Sequence, residues 1–353
     1  MKILHVITSL ETGGAEKLMV DLLPRFKSMG YVVDLLLFDG TRTPFYEELE
    51  KAGIKIYFLS VGGNVYNPVN LYKLKKYLTG YDIIHTHNTA CQFYVPFALN
   101  RNKHKCKLVT TEHNTYNRRR NIPLFRHIDK IVYQQYNSII AISSKAAENL
   151  KAFIGENFQI DVINNGIDLS LYNNDIVFPT DDVIITMIAG FRPQKDQDTL
   201  IRAITHLPDR YKLWLVGDGE RRQTIEKMIN DFDLQNRVKL MGNRNDIPNI
   251  LSNSHITVLS SHWEGLSLSS IEGMASGRPF IASDVDGLHD IVAGAGILFP
   301  HGNDITLANE IRKLCESPEE YIKVASSCQQ RANNFDINFT AKKYLDLYTH
   351  LYV

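Results

Sequence analysis

The stretch HWEGLSLSSIEGMASGRP, residues 262–279, governs how the rest of the chain is read. It leaves an apolar run, Ile256–Leu259, and enters another at Pro279–Ala282. A helix starting near Leu268 puts Glu264 in the loop above it and Glu272 in its second turn. A rise of about 1.5 Å per residue then holds the two carboxylates at most ~12 Å apart. That is about the distance from a sugar to a ribose across a diphosphate. Between them, the amides of Gly265, Leu266, Ser267 and Leu268 are disposed to bind phosphate oxygens. Gly265 has no side chain to block that approach, and Gly273, Ala275 and Gly277 suit close packing of the helix on a sheet. The competing interpretation is an amphipathic helix with two solvated glutamates, and the surrounding glycines count against it.

Working outward, short apolar runs alternate with longer segments at helical spacing. In the second half the runs are Val183–Ala189, Leu213–Val216, Val238–Met241, Ile256–Leu259, Pro279–Ala282 and Gly296–Phe299. In the first half they are Lys2–Ser9, Tyr31–Phe38, Ile54–Leu59, Asp82–His85, Leu108–Thr111 and Ser138–Ser143. Near-continuous apolar strands separated by helices imply parallel sheets covered on both faces, a doubly wound α/β pattern. The pattern pauses at Val162–Thr180, where Asn, Asp, Gly and Pro cluster as in a linker. With 353 residues, two domains are expected. They are placed at 1–172 and 173–335, followed by a terminal helix over 336–353. A cleft between two such domains is the usual place for a ligand.

Ligands of open parallel sheets sit at the carboxyl ends of strands. After the first strand comes a glycine pair, Gly13-Gly14, then a helix; an anion or a plain turn would suit it equally. After Val183–Ala189 come Gly190, Arg192 and Lys195, two cations beside a helix N-terminus that suit a pyrophosphate. Gly217 and Gly219 flank Asp218, which is expected to cap the next helix. In the first domain, His85, His87 and His113 follow strands. They are weighed as a zinc site, but no fourth ligand is spaced to match. His113 is preferred as a hydrogen-bonding or acid/base group and His85 as structural. Asp284-Val285-Asp286 spells a pattern that can hold a metal, and is taken instead as a loop lining the site.

Composition is that of an ordinary globular protein, with 44% hydrophobic and 22% charged residues and zero net charge. The first half is nonetheless basic and the second acidic, with basic clusters at Arg101–Lys107 and Arg118–Arg120. Such a surface fits a solvated face, an anionic substrate or an anionic membrane. Four cysteines without a CxxC pair argue against a disulfide framework or structural zinc. The N-terminus lacks the layout of a secretory leader and no apolar run approaches ~18 residues, so a cytoplasmic protein is expected.

Taken together, the chain resembles retaining glycosyltransferases of family 4 (glycosyl transferases group 1) with the GT-B fold. The resemblance runs over nearly the whole length. It is carried by GGAE, TEH, INNGID, GFRPQK, VGDGE and WEGLSLSSIEGMASGRPFIASDVDG, in that order. It implies two Rossmann-like domains facing a central cleft and transfer of a sugar from a nucleotide diphosphate, UDP- or GDP-linked, to an acceptor hydroxyl. It implies that Arg192 and Lys195 neutralise the diphosphate, that Glu264 meets the sugar and Glu272 the ribose, and that His113 lies near the transferred sugar. Gly14 would border the phosphates, Asn243, Arg244 and Ile247 the base, and the last helix would cross back to the first domain.

Tyr116, Arg118 and Arg119 are candidates for acceptor contact. The acceptor is expected to be a glycan or lipid-linked precursor for cell-surface polysaccharide or glycolipid. Peripheral contact with the inner face of an anionic membrane through the basic domain would accompany it. No metal, other cofactor or nucleic acid is expected. Two departures stand out: Lys195 is followed by Asp196 where the family usually has glycine, and Gly287-Leu288-His289-Asp290 stands where it often has Gly-x-x-Glu. The alternatives are a nucleotide-sugar 2-epimerase and a non-catalytic nucleotide-sugar-binding protein. A nicotinamide dehydrogenase would need GxGxxG, which is missing.

Overall fold

The computed structural model describes residues 1–11, 13–99, 105–113, 122–172 and 174–352. Among these residues the chain divides into two compact units, Met1–Gly166 with Ile337–Val353, and Ile167–Asp336.

The first unit alternates strands and helices: β1 (Lys2–Ile7), α1 (Gly14–Ser28), β2 (Val32–Asp39), α2 (Pro44–Lys51), β3 (Lys55–Ser60), α3 (Val69–Leu74), β4 (Ile83–His87), α4 (Thr89–Ala98), β5 (Lys107–Glu112), α5 (Pro123–Tyr133), β6 (Ser138–Ala141), α6 (Ser144–Ile154) and β7 (Asp161–Val162). Its seven strands lie in the order β3-β2-β1-β4-β5-β6-β7 and pair in parallel. Both faces of the sheet are covered, which is why β1 and β4 are buried nearly end to end. On one face α1 and α2 bury Leu18, Leu22, Phe26 and Leu49; on the other α3 and α4 bury Leu74, Cys91 and Val95. Burying each large apolar side chain is worth about 1.5–3 kcal/mol.

The second unit holds β8 (Val183–Ile188), α7 (Gln197–Thr205), β9 (Tyr211–Val216), α8 (Arg222–Asp231), β10 (Val238–Gly242), α9 (Ile247–Ser252), β11 (Ile256–Leu259), α10 (Leu268–Ala275), β12 (Phe280–Ser283), α11 (His289–Val292), β13 (Ile297–Phe299), α12 (Asp304–Glu316) and α13 (Pro318–Ala332). Its parallel sheet runs β10-β9-β8-β11-β12-β13. Asp196, Asn303 and Ser317 cap α7, α12 and α13 through their side chains.

The last helix, α14 (Ile337–Tyr352), belongs to the first unit, where Ile337, Tyr344 and Tyr348 are fully buried in the core beside α1. The expected runs coincide with the strands to within a residue or two. β7 was not expected: it is a two-residue edge strand at the start of a segment whose composition signals a linker. The division falls after Gly166 because Ile167 already bridges Asp336 and donates its N–H to Phe335 O (2.9 Å). Among the described residues no helix is long and apolar enough to cross a membrane.

Candidate active site

Each sheet reverses its strand order once, where β2 and β4 flank β1 and where β9 and β11 flank β8. Carboxyl ends of strands at such a reversal are the ligand positions of open α/β sheets.

In the second unit, the turn Gly190–Asp196 follows β8 and the loop Ser260–Ser267 follows β11. Main-chain and side-chain bonds tie them together. His262 N–H donates to Gln194 O (2.8 Å), Gln194 Nε2 donates to Trp263 O (2.7 Å), and Ser260 Oγ donates to Asp196 O (2.7 Å). Lys195 Nζ donates to Glu264 Oε1 at 2.5 Å, and Ser261 Oγ donates to the same oxygen at 2.6 Å. Glu264 is buried and the Lys195 side chain is mostly covered, so this charge-assisted pair is screened less than a surface ion pair. An ammonium has three protons, so two remain for a ligand. The Arg192 guanidinium is exposed, and its backbone N–H donates to Gly190 O (2.9 Å).

Asp196 takes the left-handed conformation (φ 47°) that glycine would adopt there, which aspartate tolerates better than most residues. Its carboxylate accepts from Thr199 N (3.3 Å) and Thr199 Oγ1 (2.6 Å), capping α7. The turn shape is therefore kept, and a helix cap is added. His262 Nδ1 bonds His301 Nε2 and lies 3.9 Å from Asp196 Oδ2.

Gly217 closes the turn after β9 against the turn after β8: its φ is +137°, and a Cβ would stand 2.2 Å from Ala189 O. Phe191 N–H donates to Asp218 O (2.9 Å) across the same contact. Asp218 does not cap the next helix as expected. Arg221 holds the N-cap position of α8, while Asp218 accepts from Gly219 N (2.8 Å) and pairs with Arg222 (3.0 Å). The tight turn brings its carboxylate back onto its own loop.

Glu272, buried on α10, accepts from Tyr172 Oη at 3.0 Å. Ser267 occupies the N-cap position of α10 without a side-chain cap bond; its hydroxyl meets Ser269 Oγ (2.9 Å) instead. The first turn of α10, preceded by Gly265 and Leu266, is thus a place where an anion can act as the cap. Gly287 backs this loop: its φ is +84°, and a Cβ would meet Glu264 O at 2.3 Å. Asp286 O accepts from Glu264 N (3.2 Å), and Asp284 bonds His289 Nδ1 (2.6 Å). Asn243 and Arg244 are exposed after β10, Arg244 held by both carboxylate oxygens of Asp246 (2.7 Å each), and Ile247 opens α9.

In the first unit, Gly13 is the N-cap residue of α1 and Gly14 its first exposed residue. The Glu16 carboxylate folds back over Gly13 and accepts from Asn88 Nδ2 (3.2 Å), which also donates to Thr8 Oγ1 (2.9 Å). Burial pushes the Glu16 carboxyl above its ordinary value. His113, at the end of β5, bonds His87 through Nε2 (2.9 Å), and His87 bonds His5 (3.0 Å). Burial lowers His113 to about 4 and His5 to about 3, so both rings are neutral at neutral pH. His85 has both ring nitrogens engaged, with Thr111 Oγ1 (2.8 Å) and Tyr348 Oη. Tyr116, Arg118 and Arg119 lie outside the described residues.

Arg192 with Gly190, and Lys195 with Glu264, therefore meet at one reversal, and Gly13, Gly14 and His113 lie at strand ends around the other. Sequence reasoning missed Ser261, Tyr172 and His5, and it grouped His87 with His85 and His113 without foreseeing its bonds to His5 and His113. A hydroxyl three residues before Glu264 was a usable local signal. Tyr172 was hidden in the linker-like segment and His5 in an apolar strand.

Residues 171–334 match the family model of the glycosyl transferases group 1, and residues 12–171 that of glycosyltransferase family 4. Among curated relatives, an Escherichia coli UDP-Gal:alpha-D-GlcNAc-diphosphoundecaprenol alpha-1,3-galactosyltransferase is 26% identical, over 81% of this chain and 79% of that one. The Bacillus subtilis putative glycosyltransferase EpsD is 24% identical, over 92% and 90%. Anabaena HepE, solved with UDP and glucose, superposes with a TM-score of 0.86 at 22% identity, over 99% of both chains. The chain belongs to the glycosyltransferases of group 1 and family 4, and its two parallel-sheet units are those of the GT-B fold.

Proposed function

We propose that this enzyme moves a sugar, with retention of anomeric configuration, from a UDP- or GDP-linked donor to a hydroxyl of a glycan or lipid-linked acceptor in cell-surface polysaccharide or glycolipid assembly. The observation that carries it is the buried Lys195–Glu264 pair (2.5 Å) set beside the exposed Arg192 at the strand reversal of the second sheet. A relative named for a UDP-Gal donor and a lipid diphosphate acceptor, and a similar fold solved with UDP-glucose, support the same class of substrates.

The bond that breaks joins the anomeric carbon to the diphosphate oxygen, which keeps the electron pair. Charge grows on the leaving group, so donors aimed there accelerate the step more than they tighten ground-state binding. Arg192, Lys195 and the first amides of α10 fill that role. Glu264, fixed by Lys195 and Ser261, accepts from sugar hydroxyls, and Glu272 accepts from the ribose. The acceptor oxygen forms the new bond on the face the diphosphate leaves, and its proton passes to a diphosphate oxygen. No metal takes part in this scheme.

Replacing Arg192 or Lys195 by Ala should lower transfer about 100- to 1,000-fold, as for loss of one transition-state donor, with circular dichroism unchanged. Product analysis after incubation with UDP- and GDP-sugars and a lipid diphosphate acceptor reads the reaction, and the anomeric proton coupling of the product reads the stereochemistry. Full activity in Lys195→Ala, or an inverted product, would overturn the scheme. Loss of activity in excess chelator would overturn its metal-free part.

A further inference from the structure

Four histidines stack on the α1/α14 face and the strand ends of the first sheet. His5 and His85 are register partners on β1 and β4, and His87 lies two residues beyond His85. Ring centroids are 5.1 Å apart for His5–His85, 4.3 Å for His85–His87, 5.3 Å for His5–His87 and 5.2 Å for His87–His113. Phe26 of α1 and Tyr344 and Tyr348 of α14 close over them. His85 is fixed from both sides by Thr111 and Tyr348. The other three form a chain: His5 Nδ1 to His87 Nε2 at 3.0 Å, and His87 Nδ1 to His113 Nε2 at 2.9 Å.

A neutral imidazole has one N–H and one lone pair. A chain of three linked this way can be filled in only two ways. In one, His5 Nδ1–H donates to His87, His87 Nδ1–H donates to His113, and His113 carries its own proton on Nδ1. In the other every proton is reversed, and His113 offers a lone pair on Nδ1. The two ends decide between them. His5 Nε2 and His113 Nδ1 are both buried and have no hydrogen-bond partner among the described residues. An orphaned buried N–H is rarer than an under-used acceptor. At the His5 end, where only protein surrounds the ring, the first arrangement leaves the lone pair and the second leaves the N–H.

We infer that His5 and His87 are positioning residues that fix His113 as the Nδ1–H tautomer. His113 then donates a hydrogen bond to a substrate oxygen and takes no proton from the acceptor hydroxyl. Both the tautomer and its use on the transferred sugar rest on the proposed reaction, since the first arrangement needs an acceptor oxygen at His113 Nδ1. Burial keeps His85 and His87, like His5 and His113, well below the ordinary imidazole range, so the chain carries no extra proton at neutral pH.

Imidazole nitrogen NMR of the full chain labelled with 15N-histidine reads the tautomer without substrate. The His113 signals are identified by their loss in His113→Gln. Nδ1 is expected protonated and Nε2 not. A protonated Nε2 in the wild-type protein overturns the inference whether or not any variant folds. Kinetics supply the second readout. An Asn amide nitrogen stands near the Nδ1 position of His, so His87→Asn keeps the donor to His113 while His87→Phe removes it. His87→Phe should lose about 3- to 10-fold in kcat/KM, the usual worth of one hydrogen bond, and move His113 toward the Nε2–H form. His87→Asn should recover most of both. Equal loss in the two variants, with the wild-type tautomer retained in both, also overturns it. An inactive protein with His113 protonated on Nδ1 would instead fail the proposed reaction alone.

Discussion

Acid should unfold the first unit well before it protonates most carboxylates, and the histidine stack sets the size of the effect. His5, His85 and His87 are fully buried, and burial holds all three far below the imidazole value of the unfolded chain. A group whose folded pKa is depressed contributes stability that is full above its unfolded pKa and lost as pH falls toward the folded one. The unfolded value is about 6.5. The window therefore opens near pH 6.5 and, for His5, extends down to about 3. At about pH 5.5 the folded rings stay neutral while the unfolded ones are mostly charged, so each costs about 1.4 kcal/mol relative to high pH, or ~4 kcal/mol for the three. That is a large part of a typical 5–15 kcal/mol total, to order of magnitude. His113, partly buried and lowered to about 4, acts with the same sign. Glu16, raised by burial, acts with the opposite sign as pH falls.

Trp214 and Trp263 both lie in the second unit and do not report on the first. Hydrogen exchange of β1 and β4 amides, corrected for intrinsic rates, does. Protection should fall by roughly 4 kcal/mol between about pH 7.5 and about pH 5.5, and His5→Phe should remove about a third of that loss. A change below ~1 kcal/mol would mean that the rings accept protons in place, refuting the burial argument.

Tyr172→Phe removes the hydroxyl that holds Glu272 and should weaken binding of a free nucleoside diphosphate about 3- to 10-fold by calorimetry, with little change in Tm. Gly287→Ala places a methyl 2.3 Å from Glu264 O and forces a left-handed alanine; Tm and transfer should both fall, by more than about 1 kcal/mol in stability on denaturant titration. An unchanged Tm in Gly287→Ala would show that the loop behind Glu264 yields freely.

The two sheets were legible because strands buried on both faces must be apolar along their whole length. VIITMI and LLLF admit few other interpretations. β7 was not, since a two-residue edge strand needs no apolar pattern. Much of the charged site was legible for a related reason. Arg192, Lys195 and Glu264 sit near glycines in loops after strands, and Glu272 stands beside Gly273 in the helix that follows. Its internal bonds were harder to foresee: Lys195 and Glu264 are 69 positions apart, and spacing alone says nothing of their pairing.

The imidazole chain lies beyond such signals. His5 sits 82 positions from His87, and His87 sits 26 from His113. His85, His87 and His113 stand at or near strand ends and can be grouped by their spacing, but His5 stands inside an apolar strand and reads as an isolated polar residue. Only the parallel pairing of β1, β4 and β5 puts them in line. That pairing also explains why neutral rings are used there. A carboxylate or ammonium buried at His5 would need a partner of opposite charge or cost several kcal/mol, whereas imidazoles bond one another without any net charge. A chain of neutral rings can fix the direction of one hydrogen bond at the strand end without burying a charge. His5→Asp would therefore be expected to damage folding, and His5→Phe mainly the tautomer.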